Sequence, residues 1–229
     1  MKIKGIIFLV LFFLNQLVWG QNTVAISFQA VFRNSPIQIE TESYQLSGKD
    51  SVRFSSIKFY ISKIELLKDQ KSIWKEPNSF HLVDIENPET SNIKLQSNQN
   101  QSFNEIKFTL GIDSITNVSG ALGGDLDPTE GMYWTWDNGY INVKIEGNSK
   151  LCKTRNNEFK FHIGGYKMEV NTARAITLST ENQKDIKVLL DLNEVLKGID
   201  LTKTNQIMSA GEEGVRISDL LAKSFTIKN

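Results

Sequence analysis

Between residues 24 and 32 every second position is apolar: Val24, Ile26, Phe28, Ala30 and Phe32. A period of two places these side chains on one face of a strand, so the pattern predicts a strand with one buried face. The polar stretch 34–49, with Pro36 and Gly48, reads mainly as loop. Ile57, Phe59 and Ile61 then share one parity, while Ile64 and Leu66 take the other. A bulge near Ser62 and Lys63 returns the second set to the inward face; two strands meeting at a bend is the alternative. After a turn at 68–72, residues 80–85 are apolar on both parities, which predicts a strand covered on both sides and a partly enclosed His81. Asn87-Pro88 and the Asn/Gln/Ser tract 91–102 form a polar connection from which Ile93 and Leu95 touch the core.

Residues 103–112 alternate again through Ile106, Phe108, Leu110 and Ile112. Asp127, Pro128 and Glu130 fit an N-cap, a first helical position and an N3 carboxylate, so a helical turn or two begins there, and Gly139 marks its end or the next turn. Strands follow at 140–146 and 159–163. In the second, Phe159, Phe161 and Ile163 share a face and His162 points the other way. Residues 168–179 and 186–192 give two further strands separated by a turn at 181–183, and 214–225 carries Ile217, Leu220, Leu221 and Ser224 at helical spacing. Many strands in series, no fixed-period repeat and no alternation of strand with helix predict a mainly β, antiparallel sandwich-like single domain with one or two short helices.

Composition changes this picture at the ends and in its chemistry. Lys2 and Lys4 precede an apolar run from Ile6 to Leu14 and a Val18-Trp19-Gly20 end, the form of a secretory signal peptide over residues 1–20. The single domain is then residues 21–229 of an exported, periplasmic or secreted protein, with no later run long enough to span a membrane. Without Lys2 and Lys4, 24 of the 26 basic residues face 26 acidic ones, a net charge of −2. Such a balance gives no broad basic surface for nucleic acid. Cys152 is the only cysteine, so an internal disulfide and cysteine-pair metal sites are ruled out. It reads as a reactive thiol, a soft ligand or an incidental residue of a polar loop.

The chain contains no nucleophile elbow, no H-E-x-x-H pair and no phosphate loop, and a non-enzymatic role is expected. His81 and His162 are the only histidines, on separate predicted strands. Two imidazoles do not complete a structural zinc site, but they suit low-coordinate Cu(I) or an open Cu(II) site. Met132, Met168, Met208 and Cys152 are available soft donors. Against this, a histidine beside apolar residues is often only a hydrogen-bonded structural group. Tyr133, Trp134, Trp136 and Tyr140 form either a stacking platform or part of the core. Asp125, Asp127 and Glu130 can hold calcium with backbone oxygens, although helix capping accounts for two of them.

Four segments together carry a resemblance: F-Y-I-S-K-I-E-L-L from Phe59, H-L-V-D from His81, G-A-L-G-G-D-L-D-P-T-E-G-M-Y-W-T-W-D-N-G-Y from Gly120, and F-H-I-G-G from Phe161. The chain resembles the MbnP-like family, exported copper-binding proteins similar to those associated with methanobactin operons. The resemblance implies a β-rich domain and copper, as Cu(I), held by two histidines and a kynurenine made from tryptophan, with a di-haem protein of the cytochrome c peroxidase type as the oxidising partner. It places the two ligands at His81 and His162; Trp134 and Trp136 belong to the shared aromatic run and are candidate walls of the site. The modified tryptophan belongs two positions before the first histidine, where this chain has Ser79. The expected function is therefore copper binding through two histidines in copper handling. The alternative is an exported ligand- or protein-binding module that uses the aromatic run without metal.

Overall fold

The computed structural model describes residues 22–46, 48, 50–97, 102–137, 139–181 and 183–228. The predicted signal peptide lies outside them, as do residues 98–101 of the polar tract. The strands are β1 (Asn22–Phe32), β2 (Ser35–Pro36), β3 (Tyr44–Gln45), β4 (Ser51–Lys68), β5 (Lys71–Lys75), β6 (Phe80–Asp84), β7 (Asn92–Ser97) and β8 (Glu105–Leu110). Helix α1 (Ser114–Val118) precedes β9 (Tyr133–Trp134), β10 (Gly139–Asn148), β11 (Glu158–Gly164), β12 (Arg174–Ser179) and β13 (Asp185–Asp191). The chain closes with α2 (Leu192–Lys197), β14 (Gln206–Ile207), α3 (Glu212–Lys223) and β15 (Phe225–Ile227).

Among the described residues these strands form two sheets. The five-stranded sheet runs β15-β13-β1-β2, with β7 also on β1, and the ten-stranded sheet runs β12-β8-β4-β10-β11-β14, with β3, β5 and β6 also on β4 and β9 on β10. Ile61 pairs with both His81 of β6 and Leu110 of β8, while Phe59 pairs with Val83 of β6 and Val143 of β10. Strand β4 is therefore the axis of the larger sheet, with β6 on one side and β8 and β10 end to end on the other. Pairing is mainly antiparallel as expected, but β1 with β13 and β11 with β14 are parallel.

The inner faces of the two sheets enclose the main core. Phe28 of β1 meets Phe59 and Phe108 edge-on at centroid distances of 6.0 and 5.6 Å, and each such buried ring is worth about 1.5–3 kcal/mol. Strand β4 keeps its apolar row in this core because of a bulge. The pairing with β8 shifts between Ser62 and Glu65, Lys63 has φ +53°, and Ile64 and Leu66 rejoin Ile57, Phe59 and Ile61 on the inner face.

A second apolar cluster covers part of the outer face of the larger sheet. It joins Tyr60 and Leu82 to Ile112, Leu126, Met132, Trp134, Tyr140 and Ile141. Gly111 sends the chain there: its φ is +101°, and a Cβ would stand 2.5 Å from Asn142 Cγ, so Ile112 leaves the row of Ile106, Phe108 and Leu110. Asn117 fixes α1 beneath the loop by donating to the carbonyls of Ile112 and Asp113 and accepting from the Tyr140 N–H.

Several local expectations shift. The turn capped by Asp127 is one 3-10 turn, Pro128–Glu130, ended by Gly131 at φ +72° and not by Gly139, which begins β10. Residues 168–170 form a 3-10 turn before β12, and the tract 91–102 contains β7, whose Ile93 and Leu95 enter the main core. Among the described residues no helix is long and apolar enough to cross a membrane.

Candidate metal centre

His162 pairs with Lys144 on β10, which pairs with Lys58 on β4, which pairs with Asp84 on β6. Cross-strand partners share a face, so these four side chains stand on the outer face, opposite Phe161 and Ile163 in the main core. His81 lies three residues before Asp84 and therefore takes the other parity. Its neighbours confirm this: Val83 and Ile61 belong to the inner core, Leu82 and Phe80 to the outer cluster.

The two histidines thus stand on opposite faces of one sheet. Three inter-strand steps and a three-residue offset separate their Cα atoms by about 14 Å across the strands and about 10 Å along them. Two imidazoles sharing an ion must each bring a nitrogen to about 2 Å from it. Within one chain an intact sheet therefore stands between His81 and His162, the two residues expected to hold one copper ion.

Each histidine instead has its own carboxylate. His81 Nε2 is 2.8 Å from Glu76 Oε2, and its side chain is 24% exposed. Ser79 Oγ donates to the same Glu76 oxygen and accepts from the Ile64 N–H at 2.9 Å. Ser79 therefore clamps the 76–79 turn to the β4 bulge. The Lys63 N–H adds a bond to the Ser79 carbonyl.

His162 is more enclosed, its side chain 9% exposed, and its Nε2 is 2.6 Å from Glu146 Oε1. The bond to His162 is the main cause that holds the Glu146 carboxyl below its ordinary range; burial opposes it, and Lys144 and Lys160 assist. An ionised carboxylate accepts, so an imidazole that carries a single proton holds it on Nε2 and keeps Nδ1 as a lone-pair donor. Metal-bound histidines commonly have such a carboxylate behind them.

Of the aromatic run, Trp134 and Tyr140 are buried and Trp136 is 66% exposed. The Trp134 ring packs over Gly164, where a Cβ would be 2.7 Å from Trp134 Cζ3. Trp134 therefore walls the outer face two residues from His162, and Trp136 lies beyond it at a centroid distance of 6.1 Å. The loop carboxylates are engaged locally: Asp125 accepts from the Leu82 N–H, and Asp127 accepts from the N–H and hydroxyl of Thr129.

Cys152 is buried in the main core, and burial pushes its thiol up. Met132 is buried in the outer cluster, Met168 is 89% exposed and Met208 is 39% exposed. Among the described residues no group of three or more His, Cys, Asp or Glu is placed to hold a metal ion. The carboxylate partners Glu76 and Glu146 were not singled out from sequence; the alternation of Glu146 with Ile145 was the available signal for its outward face.

The MbnP family model matches residues 21–209, beginning directly after the segment read as a signal peptide. The solved structure of MbnP from Methylosinus trichosporium is similar in fold, with a TM-score of 0.56 at 16% identity over 83% of this chain and 82% of that one. No curated protein matches the chain in sequence. With the family model covering most of the chain, its β architecture and its D-P-x-x-G-M-Y-W run have one common explanation: the chain belongs to the MbnP family.

Proposed function

We propose that this chain is an exported, non-enzymatic protein with a copper-related role in which His162 alone of the two histidines faces the metal, while His81 is a structural clasp. The observation that carries this reading is the contact between His162 and Glu146 at 2.6 Å. It leaves one ring nitrogen as a donor and fixes the ring on the face walled by Trp134. Family membership supports copper as the ion. His81 is tied into the Glu76–Ser79 clamp at the bulge, and Ser79 offers no indole for a di-haem partner to oxidise at that position. Copper handling here rests on exchangeable binding, not on the kynurenine-dependent form of the site.

Anaerobic competition of the apo protein against a chromophoric Cu(I) chelator tests the proposal. Wild type takes one equivalent of Cu(I), and His162→Ala weakens binding by at least about tenfold. No Cu(I) uptake by wild type, or uptake unchanged in His162→Ala, overturns it.

A second reading, a metal-free binding module, is favoured by one observation: Trp136, Ile115 and Val118 are strongly exposed on the loop side of the larger sheet. A ligand stacking on Trp136 shifts indole emission in wild type and not in Trp136→Ala. Emission unchanged against a panel of glycans and envelope proteins contradicts this reading.

A further inference from the structure

Strand β14 runs parallel to β11 with Lys160 opposite Gln206 and Phe161 opposite Ile207. The chain keeps that course beyond the last paired residue, because Ala210 Cβ lies 3.1 Å from the position of a Cβ on Gly165. Met208 follows the paired Ile207 as His162 follows Phe161, and it lies between that paired position and the Ala210 contact. The faces agree. Ile207 enters the inner core with Phe161, whereas Ala210 packs on the outer cluster, so Met208 shares the outer face with His162.

We infer that Met208 and His162 form a soft-metal half-site on the outer face at the β11–β14 edge, taking Cu(I) through a thioether sulfur and an imidazole nitrogen. The inference rests on the reading of His162 given above and adds the second ligand. A thioether selects Cu(I) over zinc, calcium or magnesium, which prefer nitrogen and oxygen ligands. Both donors are neutral, which suits a monovalent ion. Glu146 behind the imidazole offsets the like charge of Lys144, which stands directly opposite His162 and reaches toward the Gly131 carbonyl at 3.4 Å. Lys160, the next cation on this face, is paired with Glu158 at 3.2 Å. Partial exposure of Met208 gives an ion a way in, and the Trp134 ring over Gly164 limits water on the adjoining side.

Cu(I) affinity by chelator competition, with the X-ray absorption spectrum of the loaded full-length mature protein, tests the pair. Met208→Leu, close to isosteric at a half-exposed position, weakens Cu(I) binding by at least about tenfold and removes the sulfur neighbour from the spectrum. Met168→Leu, which alters an exposed thioether elsewhere, leaves both unchanged. His162→Gln, which keeps an amide against Glu146, loses the imidazole signal and weakens binding at least as much. If His162→Gln loses copper while Met208→Leu behaves as wild type, the Met208 inference is overturned and the reading of His162 stands. If neither variant changes binding, both fall.

Discussion

The ammonium of Lys63, the left-handed residue in the bulge of β4, lies 2.9 Å from the carboxylate of Asp113, which caps α1 by accepting from the Thr116 N–H. The irregularity that realigns the central strand is thereby tied to the start of the loop that covers the outer face. Burial raises the Asp113 carboxyl, but the Thr116 and Lys63 interactions outweigh it and hold it below its ordinary value of 3.8. Asp113→Ala should cost about 1 kcal/mol near neutral pH. A depressed carboxyl contributes stability above its unfolded value and loses it as pH falls through the folded one. The gap between wild type and variant in urea unfolding should therefore hold above about pH 4 and close below it. A gap independent of pH contradicts the role given to the carboxylate.

The bulge itself was legible in the sequence, because Ile57, Phe59 and Ile61 change parity with Ile64 and Leu66 and both sets must reach one core. The outward direction of His162 was legible for the same reason, since Phe159, Phe161 and Ile163 fix the face of its strand. His81 was not. Residues 80–85 are apolar on both parities, and with cores on both sides of β6 the pattern does not say which one His81 faces. The parallel pairing of β1 with β13 also leaves no local trace, because it joins residues about 160 positions apart. Gly131, not Gly139, ends the turn after Pro128 because it takes the left-handed conformation there, a choice that two available glycines do not disclose.

Ser79 stands where the family resemblance implies a modified tryptophan, and its hydroxyl has a structural use. Ser79→Ala leaves the buried Ile64 N–H without its partner and removes a donor from Glu76. Unfolding free energy should fall by about 1–3 kcal/mol. Ser79→Trp should not create a site shared by both histidines, since the sheet still separates them. Chemical denaturation measures the first, and a Cu(I) titration in which Ser79→Trp gains affinity contradicts the second.

Gly164 and Trp134 fit each other closely. A Cβ at position 164 also stands 2.7 Å from the Tyr140 carbonyl oxygen, and backbone does not move aside cheaply. Gly164→Ala should destabilise by about 1–3 kcal/mol and shift indole fluorescence as Trp134 is displaced. A variant as stable as wild type with unchanged emission refutes this packing.

Tyr60 is fully buried in the outer cluster, edge-on to Tyr140 at 5.8 Å, and its hydroxyl has no hydrogen-bond partner among the described residues. Burial, with the neighbouring Tyr140 and Asp125, pushes the phenol well above its ordinary range. Tyr60→Phe removes a desolvated polar atom at little cost in shape, so stability should stay within about 0.5 kcal/mol of wild type or rise by up to about 1 kcal/mol. A loss above about 2 kcal/mol in thermal unfolding means that the hydroxyl is satisfied in solution.

Independence of the two histidines is the centre of this account, and a double-variant cycle on Cu(I) affinity tests it most directly. Wild type, His81→Ala, His162→Ala and the double variant are compared by chelator competition. The predicted result is that His81→Ala binds as wild type and the double variant binds as His162→Ala, with a coupling below about 0.5 kcal/mol, as for separated sites. If His81→Ala alone weakens binding tenfold or more and the coupling exceeds about 1.4 kcal/mol, the histidines share an ion and the separation by the sheet is contradicted.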